Sequence, residues 1–227
     1  MFAAVIFDWD GTLANTHKVV VEALEKSLEG VGVRVDAKFL ERRIGIGAKN
    51  SFRDALNSVG KPSDDELLDM LVERKTEVQV GLTGKVELFD GAIDLLNSLQ
   101  GKVKMALATM SNRPVIDKLL MEKNMRKYFD EVVSVDDVLQ PKPDPEIFLR
   151  CASKLQAAPE SCVVVEDSVF GVQAARSARI KCIVVPTGAY TEEELDREGP
   201  DLLVSSLLER EKILDFIFGA RAKALFD

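Results

Sequence analysis

Residues 3–13 read Ala3-Ala4-Val5-Ile6-Phe7-Asp8-Trp9-Asp10-Gly11-Thr12-Leu13. Five apolar residues run without interruption, and two carboxylates and a glycine follow at once. Successive strand residues point to opposite faces, so a strand apolar throughout is one covered on both sides. In open parallel sheets, ligands bind beyond the carboxyl ends of the strands. Asp8 and Asp10 are therefore placed to face a site. Two carboxylates at this spacing suit a shared hard cation such as Mg²⁺. They equally suit a nucleophile beside an acid–base partner. A bare Asp-x-Asp also reads as an acidic turn, but Asp-x-Asp-Gly-Thr-Leu behind an apolar strand carries more information.

Four more short apolar runs predict strands over residues 103–108, 131–135, 162–165 and 182–185, with a weaker one over 202–204. Amphipathic stretches separate them. Ile147, Phe148, Cys151, Ala152 and Leu155 repeat at helical spacing, with Asp144 as cap and Pro145 at the first helical position. Thr191 and Glu194 form a capping-box pattern, with Tyr190 and Leu195 spaced for a hydrophobic staple. Strands alternating with helices imply a parallel sheet with right-handed crossovers. The first crossover breaks this rhythm, because about ninety residues after Phe7 offer no convincing strand. Val20, Leu24, Leu28 and Val31 mark one helix there, and Phe52, Ala55, Leu56 and Val59 another. Ser63 and Glu66 box-cap a third, with Leu67, Leu71 and Val78 on one side. The expected fold is α/β: a Rossmann-like, three-layer parallel sheet core (1–15 and 85–227) with an inserted all-helical cap (16–84). Residues 11–15 and the Gly81-Leu82-Thr83-Gly84 stretch are the expected hinges.

Composition narrows the function. The 227 residues are 46% hydrophobic and 30% charged, the mix of a globular domain and not of a disordered or disulfide-framework chain. A formal charge of −8 disfavours tracking a nucleic-acid backbone. A single His disfavours a His-based zinc site or a Ser/His/Asp triad. No apolar run is long enough to span a bilayer, and the first residues lack the basic lead of a signal peptide. Three cysteines without a CxxC pair fit buried free thiols in a reducing compartment. The expectation is a cytoplasmic monomer that touches neither membrane nor nucleic acid.

Three further signals fall at strand or helix ends. Val163-Val164-Val165-Glu166-Asp167-Ser168 places a second acidic pair behind an apolar strand. Like charges placed together cost energy unless a cation compensates them, so metal coordination is preferred over two helix-start acids. In Leu107-Ala108-Thr109-Met110-Ser111-Asn112, hydroxyls and backbone N–H groups near a helix start form an anion cradle. In Pro141-Lys142-Pro143-Asp144-Pro145, flanking prolines restrict the backbone around a cation suited to a phosphate or a carboxylate nucleophile. Together these point to phosphoryl chemistry, in which a metal and a Lys neutralise phosphate oxygens while a carboxylate attacks.

Asp8-Trp9-Asp10-Gly11-Thr12, Thr109, Lys142 and Glu166-Asp167 resemble the four ordered motifs of the haloacid dehalogenase (HAD) superfamily. The stretch from Val165 to Ala175 is similar to the branch containing β-phosphoglucomutase and phosphoglycolate phosphatase. The resemblance implies a Mg²⁺-dependent phosphatase acting on a small-molecule phosphate ester, a sugar phosphate or a phosphoglycolate-like compound. Its alternatives are a phosphosugar mutase and a non-catalytic interaction protein on the same scaffold. Asp8 would form an aspartyl-phosphate, and Asp10 would protonate the leaving group and then activate water. Thr109 and Lys142 would hold the phosphoryl group. Asp8, the Asp10 carbonyl and Asp167 would bind Mg²⁺, with Glu166 assisting. Asp10 argues against dehalogenase activity, because dehalogenases of this superfamily lack an acid there.

Candidate substrate contacts are Ser111 and Asn112, His17 just after the catalytic loop, and Gly45 and Lys49 in the cap stretch from Arg43 to Asn50. A lone His there more often reads as a helix-start or packing residue, with substrate contact as the alternative. Arg74 and Lys75 sit among charged neighbours and read as a solvated face, with substrate contact as the alternative. Trp9 reads as structural, or as part of the cap interface. Three departures stand out: Asn15 where many relatives have Asp, Met110 after the motif-two hydroxyl, and Arg179 where this branch usually has Gly. Ala48 stands where β-phosphoglucomutase has the Arg that grips a second phosphate, with Lys49 next to it.

Overall fold

The structure, a computed structural model, describes residues 1–219, so residues 220–227 of the expected core lie outside the described residues. Its eight strands are β1 (Ala4–Phe7), β2 (Ala14–Asn15), β3 (Glu87–Leu88), β4 (Lys104–Ala108), β5 (Glu131–Val133), β6 (Cys162–Glu166), β7 (Lys181–Val184) and β8 (Leu202–Leu203). Six form one parallel sheet in the order β5-β4-β1-β6-β7-β8. After β1 the chain builds outward on one side and then returns to build on the other. The strand order therefore reverses beside β1, the position where such sheets open a crevice.

The helices are α1 (His17–Glu29), α2 (Ala37–Glu41), α3 (Ala48–Ser58), α4 (Asp65–Leu82), α5 (Ala92–Leu99), α6 (Arg113–Glu122), α7 (Glu146–Lys154), α8 (Val169–Ser177), α9 (Glu192–Arg197) and α10 (Arg210–Phe218). The strand residues sort by parity. Val5 and Phe7 join a cluster with α5, α6 and α10, whereas Ala4 and Ile6 join one with α7, α8 and α9. All four are fully buried. This is why the run is apolar throughout: each face of the sheet carries its own helix layer.

A third apolar cluster, with Leu24, Leu40, Phe52, Leu56, Leu68 and Leu71 at its centre, lies among α1 to α4. The helical insertion thus buries a core of its own. Four details differ from expectation. First, β2 and β3 pair antiparallel (Ala14 with Leu88, Asn15 with Glu87), forming a two-stranded ribbon where the insertion leaves and rejoins the sheet. Two-residue strands are too short to show a period. Second, the expected exit stretch is helical, with Gly81 within α4 and Gly84 in a 3₁₀ turn, and the ribbon strand β3 follows it. Third, α4 is capped by Asp64, whose side chain accepts from the Leu67 N–H, and not by Ser63. Fourth, Pro145 occupies the cap position of α7, while Asp144 accepts from the Glu146 N–H. The Thr191–Glu194 box forms as read, and Tyr190 and Leu195 are both buried.

Among the described residues no helix is long and apolar enough to cross a membrane. The three cysteines are buried and free, and burial raises the Cys162 thiol to about 11.

Candidate active site

Asp8, Thr109 and Glu166 each stand at or just past the carboxyl end of one of three adjacent strands, β1, β4 and β6. Lys142 reaches the same point from the loop before α7. All of these side chains are buried, Lys142 included. Its ammonium donates to Asp8 Oδ1 and Glu166 Oε1, both at 2.6 Å. Burial works against that charge, but the two carboxylates more than offset it, and the Lys142 pKa is raised.

Asp8, Glu166 and Asp167 each offer a carboxylate oxygen, and these oxygens lie within 4.8 Å of one another. Burial raises Asp8 well above the usual carboxylate range; Lys142 opposes this, and Glu166 and Asp10 add to it. Asp167 is raised as well, by burial and then by Glu166 and Asp8. Three buried acids share one ammonium, so the cluster lacks positive charge. A hard cation with oxygen ligands fits that deficit. Glu166 has less to offer such a cation. One of its oxygens serves Lys142, and the other accepts from the Asp167 and Ser168 N–H groups and the Ser168 hydroxyl.

Glycines make room for these carboxylates. A Cβ at Gly11, where φ is +88°, would overlap the Asp167 carboxylate, and so would one at Gly188. A Cβ at Gly171 would overlap Glu166. Thr12 donates to Asp167 Oδ1 at 3.1 Å, and Thr187 donates to the Gly11 carbonyl at 2.6 Å. The loop holding Thr187 and Gly188 carried no sequence signal.

Asp10 turns elsewhere. Its Oδ2 accepts from Thr109 Oγ1 at 3.0 Å and Ser111 Oγ at 2.9 Å, while Oδ1 is buried without a partner. Its carboxylate therefore does not join the other three, which leaves only its backbone for the metal role that the resemblance implies. Asp10 lines a cavity of about 20 Å³ with Val20, Leu24, Gly45, Lys75 and Ser111.

The remaining candidates divide. Ser111 and Gly45 line this cavity. His17 stands beside the acidic cluster, with Nε2 3.9 Å from Asp167 Oδ2 and Nδ1 3.8 Å from Glu41 Oε1. Burial lowers its pKa against the pull of Asp10 and Glu41. Asn112 does not line the cavity; it donates to Asp136 at 2.7 Å and accepts from Thr76 of α4 at 3.2 Å. Lys49 is not brought to the site. Asp69 at 2.6 Å and Asp65 at 3.1 Å hold it at the surface of the insertion.

Two cations line this cavity: Arg43, which is paired with Asp54, and Lys75, read above as solvated. The inward stripe of α4 is Leu68, Leu71, Lys75 and Gln79, so Lys75 occupies a position where an apolar residue is the rule. It is 3% exposed, and burial lowers its pKa to about 8, with Asp10 and Asp136 pulling upward. The unbroken stripe spacing was the signal available in the sequence. Arg74 lies on the exposed side, as expected.

Comparison with known proteins bears on this arrangement. Residues 5–185 match the model of the haloacid dehalogenase-like hydrolase family. A fructose-1-phosphate phosphatase of Escherichia coli is 34% identical over 185 residues, which cover 81% of this chain and 96% of that protein. CbbY from Rhodobacter sphaeroides, solved in complex with phosphate, superposes with a TM-score of 0.81 at 28% identity, covering 92% of this chain and 96% of that one. A β-phosphoglucomutase from Clostridium difficile superposes at 0.82 with 26% identity, covering 92% and 93%. A match spanning both acidic motifs and the insertion between them leaves one assignment: the chain is an enzyme of the haloacid dehalogenase-like hydrolase family, in the branch of the β-phosphoglucomutase-like proteins.

Proposed function

We propose that this enzyme is a Mg²⁺-dependent phosphatase that hydrolyses a small phosphorylated metabolite, of the sugar phosphate or phosphoglycolate kind, through an aspartyl-phosphate on Asp8. The observation that carries the reading is the split between the two carboxylates that follow β1. Asp8 lies against a buried ammonium and two other acids, whereas Asp10 lies against hydroxyls through one oxygen and keeps the other buried without a partner. Two carboxylates in two environments suit two roles, nucleophile and acid–base.

Asp8 and Asp167 would hold the cation, which when bound neutralises phosphate oxygens during transfer. Lys142 orients Asp8 and adds a second positive charge at the phosphoryl position. Thr109 and Ser111 fix Asp10 by one oxygen, so the other is available to give a proton to the leaving group and later take one from water. Lys75 faces the leaving group from the insertion, and we read residues 16–84 as a cap that closes over it. A phosphosugar mutase would use the same nucleophile but needs a second phosphate grip. Arg43 is tied to Asp54 and Lys49 to Asp65 and Asp69, which favours hydrolysis.

Phosphate release from a panel of sugar phosphates, phosphoglycolate and nucleotides tests the proposal, with Asp8→Asn as control. The expected result is Mg²⁺-dependent release that Asp8→Asn abolishes. Near-normal steady-state release by Asp8→Asn would refute the nucleophile, and isomerised phosphosugar without phosphate release would favour the mutase.

A further inference from the structure

The cavity beside Asp10 is only about 20 Å³, roughly room for one water-sized body. If it is the substrate site proposed above, its roof must lift for each turnover. Part of that roof is the loop of residues 43–48, which supplies Arg43, Ile44, Gly45, Gly47 and Ala48 to the lining. The residue just before it, Arg42, ends α2 and is fastened to the sheet domain three times. Its guanidinium donates to both oxygens of Glu194, at 2.8 and 3.3 Å. The same group lies 4.6 Å from the centroid of the Tyr190 ring. The Tyr190 hydroxyl donates to the Arg42 carbonyl at 2.7 Å.

The receiving side is rigid. Tyr190 is buried and meets Phe170 edge-on at 6.2 Å. Glu194 closes the capping box of α9, accepting from the Thr191 N–H at 3.0 Å. One carboxylate therefore serves the helix cap and the guanidinium together and does not follow the insertion when it moves. We propose that Arg42, Tyr190 and Glu194 form a latch that holds the 43–48 loop shut over the cavity, and that Arg42 is a positioning residue whose release sets how readily the site opens. Its contacts are polar and partly exposed, as a fastening that must open and close repeatedly requires.

Glu194→Gln isolates the latch, since Gln also serves the capping box while the charge is lost. Hydrogen exchange of the 43–48 amides should accelerate by about fivefold in Arg42→Ala and by less in Glu194→Gln. The double variant should exchange no faster than Arg42→Ala alone, because the two residues form one interaction. About 1 M salt should speed exchange in the wild type but not in Arg42→Ala. The KM for p-nitrophenyl phosphate should rise by a similar factor in Arg42→Ala with kcat unchanged or higher. Unaltered loop exchange in Arg42→Ala, strictly additive effects, or acceleration spread evenly over the chain would overturn the latch. A fall in kcat at constant KM would also overturn it, by giving Arg42 a part in the chemistry. Should no variant turn over any phosphate ester, the exchange data still decide the latch, and the failure belongs to the phosphatase reading.

Discussion

Replacing Lys75 by Met should make the protein more stable and less active. Lys75 is nearly fully buried, and its pKa falls from the ordinary 10.5 to about 8. That gap corresponds to about 3 kcal/mol against the charged form, at roughly 1.4 kcal/mol for each tenfold change in proton affinity. Met has a similar length and carries no charge, and the cavity that Lys75 faces is also lined by Val20 and Leu24. At pH 7 the variant should gain about 1–3 kcal/mol, or roughly 3–10 °C in Tm for a chain of this size. The sign of the pH dependence is fixed. The folded pKa lies below the unfolded one, so between about 8 and 10.5 the unfolded chain holds the extra proton and wild-type stability rises with pH. The advantage of Lys75→Met is therefore full below pH 8 and vanishes near pH 10.5. Calorimetric melts of both proteins at pH 7 and pH 10 measure it. Over the same range the wild-type kcat/KM should fall above pH 8, as the cation facing Asp10 is lost. An equal Tm difference at both pH values, or a variant with full activity, would refute the argument.

Asp10→Asn should fold and bind metal yet turn over at least about a hundredfold slower, with a smaller loss in the phosphorylation step for esters with good leaving groups, as single-turnover measurements would show. Chelator should abolish activity, Mg²⁺ should restore it and Ca²⁺ should not, because Ca²⁺ takes more ligands at longer distances. Burial raises Asp8 and Asp167, so metal affinity should weaken as the pH falls; titrating the fluorescence of Trp9, the single tryptophan and the residue between Asp8 and Asp10, would follow this. Arg179 sits just past α8 with φ +58°, so Arg179→Gly should raise stability by about 1 kcal/mol in a denaturant melt without altering kcat.

The sequence by itself determined the sheet and the part of the site attached to it. A strand buried on both faces must be apolar throughout, so Val5, Phe7 and Val163–Val165 announced themselves, and whatever polar residue follows such a strand stands at the sheet edge. Asp8, Asp10, Thr109 and Glu166-Asp167 were legible for that reason, since their places follow from chain position alone. Lys142 was legible because prolines on both sides fix its backbone. The insertion was legible only as a set of helices. Which of its cations reach the cavity depends on how the insertion lies across the sheet domain, and the tertiary structure decides this by turning Lys75 inward, placing Arg43 in the lining and leaving Lys49 to Asp65 and Asp69. The same holds for Gly188 beside Asp167 and for Arg42 on Tyr190 and Glu194, pairs separated by about 20 and 150 residues. Local pattern shows which face of an element is apolar. It says nothing about which distant element meets the polar exception on that face, because that partner is set by the packing of the whole chain.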